Sequence, residues 1–187
     1  EIETVQVEQA QLQARAAKAK AHYDVVLDAF ESNSNDAGIE HVRNVEGVLG
    51  TLVENITIDP VAVDAVSVIL NDLASSIVVE TPENAKQAAA ELSARDLNAK
   101  LFVLATHNEH RAPIIPDGAV ALSDFVSAND PRLSRSLAHV LANVVFVDGD
   151  WKTACDVAIA HPELVVVTPN GDRFGGTHVW SLGKSTT

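Results

Sequence analysis

The sequence predicts an α/β fold with mixed α+β character, in which a two-lobed domain follows an N-terminal coiled-coil helix. Three observations predict it. The first 31 residues repeat apolar side chains at helical spacing, the pattern strand-helix-strand then occurs twice, and the last apolar strand runs into a turn followed by glycines. With 187 residues and 47% hydrophobic content, the chain is long enough to bury its own core.

Residues 1–31 carry a heptad pattern that no Gly or Pro interrupts. Its positions alternate in spacings of three and four, the rhythm of a coiled-coil seam. The seam consists of Ile2, Val5, Gln9, Leu12, Ala16, Ala19, Tyr23, Val26 and Phe30. An amphipathic helix docked on its own domain is the alternative, because one polar and two small residues weaken the seam. The polar run at residues 32–38 predicts a break, so we place an arm segment at residues 1–37.

From residue 38 the chain alternates between helices and strands. Asp59, Thr81 and Asp130 each precede a proline, and a capping side chain before Pro predicts a helix start. Helices are predicted at residues 60–74, 82–97, from 131 onwards and at 150–160. Short apolar runs, most of them rich in β-branched residues, predict strands at residues 56–58, 77–80, 101–104, 144–147 and 164–167.

Two strand-helix-strand units predict two parallel strand pairs with right-handed crossovers. Between the two units, residues 111–125 contain several turn-forming residues and are predicted to be loop and turn. The two units divide the globular part into lobes at residues 38–125 and 126–187.

Charge and cysteine content limit the possible partners. The formal net charge is −13 and the basic residues are scattered, which argues against broad contact with a phosphate backbone. No apolar run approaches the ~20 residues of a membrane span, and no signal-peptide pattern is present, so we expect no membrane contact. Cys155 is the sole cysteine, which excludes an intrachain disulfide and predicts an inert thiol in a reducing compartment.

Catalytic and ligand-binding motifs are weak. The two strand-to-helix turns, at residues 80–83 and 148–151, place carboxylates where phosphates would sit. Residues 182–185 imitate the end of a Walker A loop, but His178 occupies the position of its first glycine. Residues 107–110 offer two His without an evident third ligand. We predict no catalytic residue, metal or cofactor, and a small α/β nucleotide-binding enzyme is the least favoured alternative.

Residues 164–183 carry the main candidate interaction surface. An apolar strand runs into the turn Thr-Pro-Asn-Gly-Asp at residues 168–172, and glycines then open the extended chain to close approach by another backbone. Such a sheet edge suits a second copy of the chain. We predict a dimer interface formed by Gly175, Gly176, Trp180, Leu182 and Gly183. Arg173 and Lys184 flank it, and they are the candidate contacts of an alternative function, a DNA-binding module with a small basic patch.

This C-terminal pattern resembles the end of the hinge domain of structural maintenance of chromosomes (SMC) proteins. The sequence Gly-Val-Leu-Gly at residues 47–50, ahead of the strand at 56–58, is similar to the opening of that hinge, and the later elements follow in the family's order. The glycine spacing departs from the family's Pro-Gly-Gly and terminal Gly-Gly pattern, with Arg-Phe-Gly-Gly at residues 173–176. A shortened loop and Trp180 before the last glycine are similar to actinobacterial members.

The resemblance implies an SMC-hinge-like fold and a mechanical role. Such a hinge forms a homodimer that joins two coiled-coil arms into a V or ring, within an ATPase that condenses and segregates chromosomes. ATP and Mg, as well as kleisin-type subunits, would bind only at the distant heads, and DNA contact by this acidic fragment would be weak. The implied location is cytoplasmic, at the nucleoid. The absence of Met also predicts a piece of a longer protein.

Overall fold

The computed structural model describes residues 13, 14, 17, 18, 20–25, 28, 36–104, 114–176 and 180–183. The described residues before Asp36 are helical, as the heptad pattern predicts. Of the predicted seam, Tyr23 lies in this part and packs against the main core of the domain. The remaining seam positions lie outside the described residues: Ile2, Val5, Gln9, Leu12, Ala16, Ala19, Val26 and Phe30.

Helices and strands alternate through the rest of the described chain. The helices are α1 (Asp36–Val42), α2 (Val63–Leu70), α3 (Pro82–Ala94), α4 (Pro131–Val140) and α5 (Trp151–Ala160). The strands are β1 (Val48–Thr51), β2 (Ile56–Ile58), β3 (Ile77–Val79), β4 (Leu101–Val103), β5 (Ala119–Ala121), β6 (Val126–Ala128), β7 (Val144–Val147), β8 (Val165–Val167) and β9 (Arg173–Gly175). Short 3-10 turns occupy Val53–Asn55, Pro60–Ala62 and Leu122–Phe125.

The strands form three small sheets. One has the order β1-β3-β4, a second pairs β2 with β6, and the third has the order β5-β7-β8-β9. β3 runs parallel to β4 and β7 runs parallel to β8, with α3 and α5 as the respective connections. Both predicted strand-helix-strand units are therefore confirmed. The other pairs are antiparallel.

Side-chain caps set the helix starts where the sequence predicts them. The Asp59 carboxylate accepts a hydrogen bond from the Val61 backbone, and the Thr81 hydroxyl accepts one from Asn84. Asp130 and Asp150 cap α4 and α5 in the same way. Each cap satisfies a backbone N–H that has no partner within the helix, and so fixes where the helix begins.

Three local predictions are wrong. Residues 111–125 are not all loop, because residues 119–121 pair with β7 and extend an existing sheet. The helix that follows Asp59 begins with a 3-10 turn and ends at Leu70, four residues early. Gly38 is not part of a break but lies inside α1, where a Cβ atom would come 2.7 Å from the Asn98 carbonyl oxygen. Its small size, rather than its flexibility, explains its position.

One core joins the two predicted lobes. Fully buried side chains from both lobes belong to the same cluster, among them Leu52, Val66, Leu70, Leu122, Leu133 and Leu141. The Phe125 and Phe146 rings also meet across the lobes, with centroids 4.8 Å apart. Smaller clusters lie under α5 and between α1, α3 and β3. The lobes at residues 38–125 and 126–187 thus share a core, and the boundary between them stays a prediction.

A surface ion pair also connects the two predicted lobes. One guanidinium nitrogen of Arg132, on α4, lies 2.6 Å from a carboxylate oxygen of Glu80 and 2.7 Å from one of Asp130. Glu80 directly follows β3, so the contact ties the end of that strand to the start of α4. The hydrogen bond from Arg132 lowers the pKa of the Asp130 carboxyl below its ordinary value.

We expect the substitution Asp130→Asn to destabilise the protein at pH 7, and the difference from wild type to shrink in acid. The pKa of Asp130 is lower in the folded state than in the unfolded chain. Its charge therefore stabilises the fold fully at pH values above the ordinary carboxyl pKa of about 4, and this stabilisation is lost as the pH falls through the folded-state pKa. Asn also caps helices well, so the substitution isolates the charge. Urea denaturation at pH 7 and in acid measures the difference in unfolding free energy between the variant and wild type. A difference that stays constant with pH would contradict the prediction. The substitution Asp117→Asn, at an exposed position, is the control.

Candidate self-association surface

A buried carboxylate in the turn at residues 168–172 anchors the C-terminal segment, residues 180–183. Asp172 is 5% exposed and accepts a hydrogen bond from the Thr168 hydroxyl at 2.6 Å. Its other oxygen accepts one from the Gly183 backbone N–H at 2.8 Å. A buried carboxylate is tolerated only when its oxygens are hydrogen-bonded. Asp172 therefore closes the turn and holds the C-terminal segment against it.

The C-terminal segment also covers part of the edge of the four-stranded sheet. The Ser181 backbone exchanges two hydrogen bonds with Arg173 in β9, at 2.8 and 2.9 Å. At this position the outer edge of β9 is therefore paired within the chain. An added strand from another molecule would have to pair beyond Ser181 or on a different edge.

The three glycines of the predicted interface each have a close neighbour in their own chain. A Cβ atom on Gly175 would overlap the Leu164 carbonyl oxygen, and one on Gly183 would overlap the Asn170 carbonyl oxygen. A Cβ atom on Gly176 would overlap a methyl group of Val165. The predicted approach of another backbone is confirmed for Gly175 and Gly183, but that backbone belongs to the same chain. The place of these glycines in a dimer interface stays a prediction.

Trp180 and Leu182 are the exposed apolar side chains of this surface, at 47% and 67% exposure. The Trp180 ring packs edge-on against Phe174, with centroids 5.6 Å apart, so one side of the indole is fixed while another remains open to solvent. Positions i and i+2 of an extended chain lie on the same face, so Leu182 follows Trp180 there. We call these two exposed side chains, which flank the paired Ser181, the apolar patch.

The predicted basic contacts are only partly described. Arg173 is half-buried in β9, and its Nε atom is buried with no hydrogen-bond acceptor among the described residues. Lys184 lies outside the described residues. The structure therefore shows one basic side chain at the edge of the patch, but not the predicted pair.

The helix starts that a nucleotide would use are occupied by the chain itself. At α5, Asp150 accepts hydrogen bonds from both the backbone and the hydroxyl of Thr153, and the backbone bond lowers its pKa. At α3, the Thr81 side chain caps the helix and Glu80 is paired with Arg132. Across the described residues, no three His, Cys, Asp or Glu side chains lie close enough to hold a metal ion. Residues 107–110 lie outside the described part.

Sequence reasoning missed two polar contacts between distant parts of the chain. His22 meets Asp64, 42 residues away, and Arg132 meets Glu80, 52 residues away. No periodic pattern or motif connects such positions, because the fold alone brings them together. Within the described part of the chain, no helix combines the length and the apolar character needed to span a bilayer.

Comparison with known proteins identifies the fold. Residues 45–154, more than half of the chain, match the family described as SMC proteins Flexible Hinge Domain. The chain is 24% identical over 177 residues to the chromosome partition protein Smc of Mycobacterium tuberculosis, covering 91% of this chain but only 14% of that protein.

Solved structures agree. The hinge domain of the Pyrococcus furiosus SMC protein is 20% identical with a TM-score of 0.69, covering 90% of this chain and 95% of that one. The Geobacillus stearothermophilus SMC hinge domain, solved as an asymmetric dimer, is 21% identical with a TM-score of 0.68, covering 100% of this chain and 84% of that one. The chain belongs to the SMC hinge domain family.

Proposed function

We propose that this chain is the dimerisation hinge of an SMC protein that organises chromosomes. Family membership supports the proposal, as do the names of the relatives, one a chromosome partition protein and one a hinge domain solved as a dimer. The chain spans about 14% of the length of the Mycobacterium relative, so the rest of such a protein would lie outside it. On this proposal the hinge is not catalytic and joins two coiled-coil arms in a homodimer.

Further parts of the proposal concern the longer protein. ATP and Mg would bind at heads outside this chain, where kleisin-type subunits would also bind, and this domain would need no cofactor. The protein would work in the cytoplasm at the nucleoid.

The apolar patch of Trp180 and Leu182 carries the interface assignment. Exposed aromatic and aliphatic side chains on a rigid support are typical anchors of protein interfaces. Here the hydrogen bonds of Asp172 and Ser181 fix the backbone under both side chains. Among the other strands at sheet edges, β4 and β5 expose Val103 and Val120, so they are competing sites for pairing.

We expect Leu182→Asp to weaken the dimer about 30-fold or more, since a charge at an interface anchor costs 2 kcal/mol or more by the usual scale. Light scattering across a dilution series measures the change. Ile159→Asp is the matched control, because Ile159 is 64% exposed, close to the 67% of Leu182, but lies on α5. An unchanged dimer in Leu182→Asp, with dissociation in Val120→Asp, would place the interface on β5 instead. A wild-type monomer at micromolar concentration would refute the proposed dimer.

A second candidate function is DNA binding through the half-buried basic side chain of Arg173, which lies in β9 at the edge of the patch. The net charge of −13 opposes it, so any binding would be local and sensitive to salt. Fluorescence anisotropy with labelled single-stranded and duplex DNA, at low and high salt, tests it. Binding that weakens with salt and falls in Arg173→Gln would support this function, and no binding at low salt would remove it.

A further inference from the structure

His22 and Tyr23 of the N-terminal helix both contact the domain. The entry helix, residues 20–25, brings the His22 imidazole to Asp64 in the first turn of α2. The Nε2 atom lies 2.8 and 2.9 Å from the two carboxylate oxygens. The next residue, Tyr23, is partly buried against the main core. In the described part of this helix, His22 and Tyr23 thus mark where it meets the domain.

Much of the surface around this contact is not filled. A cavity of about 600 Å³ opens beside it, and its walls include His22, Asp64, Val68 and Asn71. Where a helix lies over an open cavity, it buries less apolar area and gains less from packing. The hydrogen bond between His22 and Asp64 therefore contributes to the free energy that holds the entry helix in place.

The same cavity also reaches the C-terminal segment. Gly171 and Gly183 form part of its wall, and an added Cβ atom on Gly171 would lie 3.5 Å from Asp64. Gly183 is held by the carboxylate of Asp172, the neighbour of Gly171. Asp64 therefore contacts the entry helix on one side and lies against the turn that fixes the C-terminal segment on the other.

We propose that His22 and Asp64 form a latch that docks the entry helix on α2, beside the anchored C-terminal segment, and so fixes the direction in which the helix leaves the domain. The latch is confined to one chain and does not depend on self-association. Removing either side chain removes this contact, and the helix opens more often while the domain beneath stays folded.

Hydrogen–deuterium exchange of the intact chain tests the latch. In Asp64→Asn, amide exchange at residues 20–25 should accelerate about three- to ten-fold, which is the size expected for losing one partly exposed hydrogen bond at a local opening. Exchange in β3 and β7 should not change. The labelled segment has the same sequence in both proteins, so its intrinsic exchange rates are identical.

Asp64→Asn also removes an acidic residue from the first turn of α2, and so removes a favourable interaction with the helix dipole. This effect is separate from the loss of the contact with His22. Glu83→Gln makes the same kind of change in α3 and should leave residues 20–25 unaffected. In a double-mutant cycle, Asp64→Asn should add little once His22→Gln is present, since both remove one interaction. Unchanged exchange at residues 20–25 in Asp64→Asn, or fully additive effects in the cycle, would overturn the latch.

Discussion

The substitution Leu122→Ala is expected to lower the free energy of unfolding by about 2–5 kcal/mol, the usual range for truncating a fully buried leucine. Leu122 has no exposed surface and lies in the 3-10 turn between β5 and β6. Its cluster contains Leu52 and Val66 from one predicted lobe, and Leu133 and Phe146 from the other. Because one cavity would weaken the packing of both lobes, we expect both to be destabilised together.

Urea denaturation followed by two probes measures this effect. Fluorescence of Trp151 and Trp180 reports on the C-terminal half, and hydrogen exchange in β3 reports on the N-terminal half. Both should shift to lower urea by the same amount. Val120→Ala, at a 42% exposed position two residues away, should cost less than about 1 kcal/mol. A shift in only one probe would mean that the lobes unfold independently and that the shared core adds little cooperativity.

Local features of the fold could be predicted from the sequence because their causes are local. A capping side chain followed by proline marks the starts of the helices after Thr81 and Asp130, and both caps form as predicted. The runs of β3, β4, β7 and β8 are apolar. Two strands joined by a helix pair in parallel because the helix returns the chain to the end of the sheet where the first strand began. Local sequence features and the direction of the chain were therefore enough to predict both strand-helix-strand units.

Features that depend on packing between distant residues could not be obtained in this way. β5 consists of Ala-Val-Ala, a weak strand pattern, and forms because β7 offers an edge for pairing. The turn at residues 168–172 could be predicted, but not that Asp172 would hold Gly183, eleven residues later. The latch between His22 and Asp64 likewise depends on a helix placement that no sequence period encodes.

The substitution Gly175→Ala is expected to destabilise the fold strongly, because it combines backbone strain with a steric overlap. Gly175 has φ +77°, a left-handed conformation that costs a residue with a side chain about 1–2 kcal/mol. The added methyl group would also overlap the Leu164 carbonyl oxygen, which is backbone and cannot rotate away. Displacing the β8–β9 pair should add about 1–3 kcal/mol, the typical cost of overpacking.

Gly118→Ala separates the two causes. Gly118 has φ +80°, almost the same backbone strain, but a Cβ atom there would meet nothing within 4 Å. Thermal or urea denaturation should therefore show a loss near 1–2 kcal/mol for Gly118→Ala, the strain alone, and a clearly larger loss for Gly175→Ala. Equal losses in the two variants would show that the β8–β9 pair adjusts freely and that the close approach to Leu164 has no energetic weight.

This comparison also decides how the dimer interface can be mapped. A glycine variant that loses the dimer could do so because β9 has shifted, carrying Trp180 and Leu182 with it through Phe174 and Ser181. Loss of self-association in Gly175→Ala would then report the support of the patch rather than a contact with the partner. Substitutions at Leu182 alter an exposed side chain without straining the backbone. If Leu182→Asp loses the dimer but keeps the stability of the wild type, Leu182 contacts the partner. Loss of the dimer in Gly175→Ala does not identify such a contact.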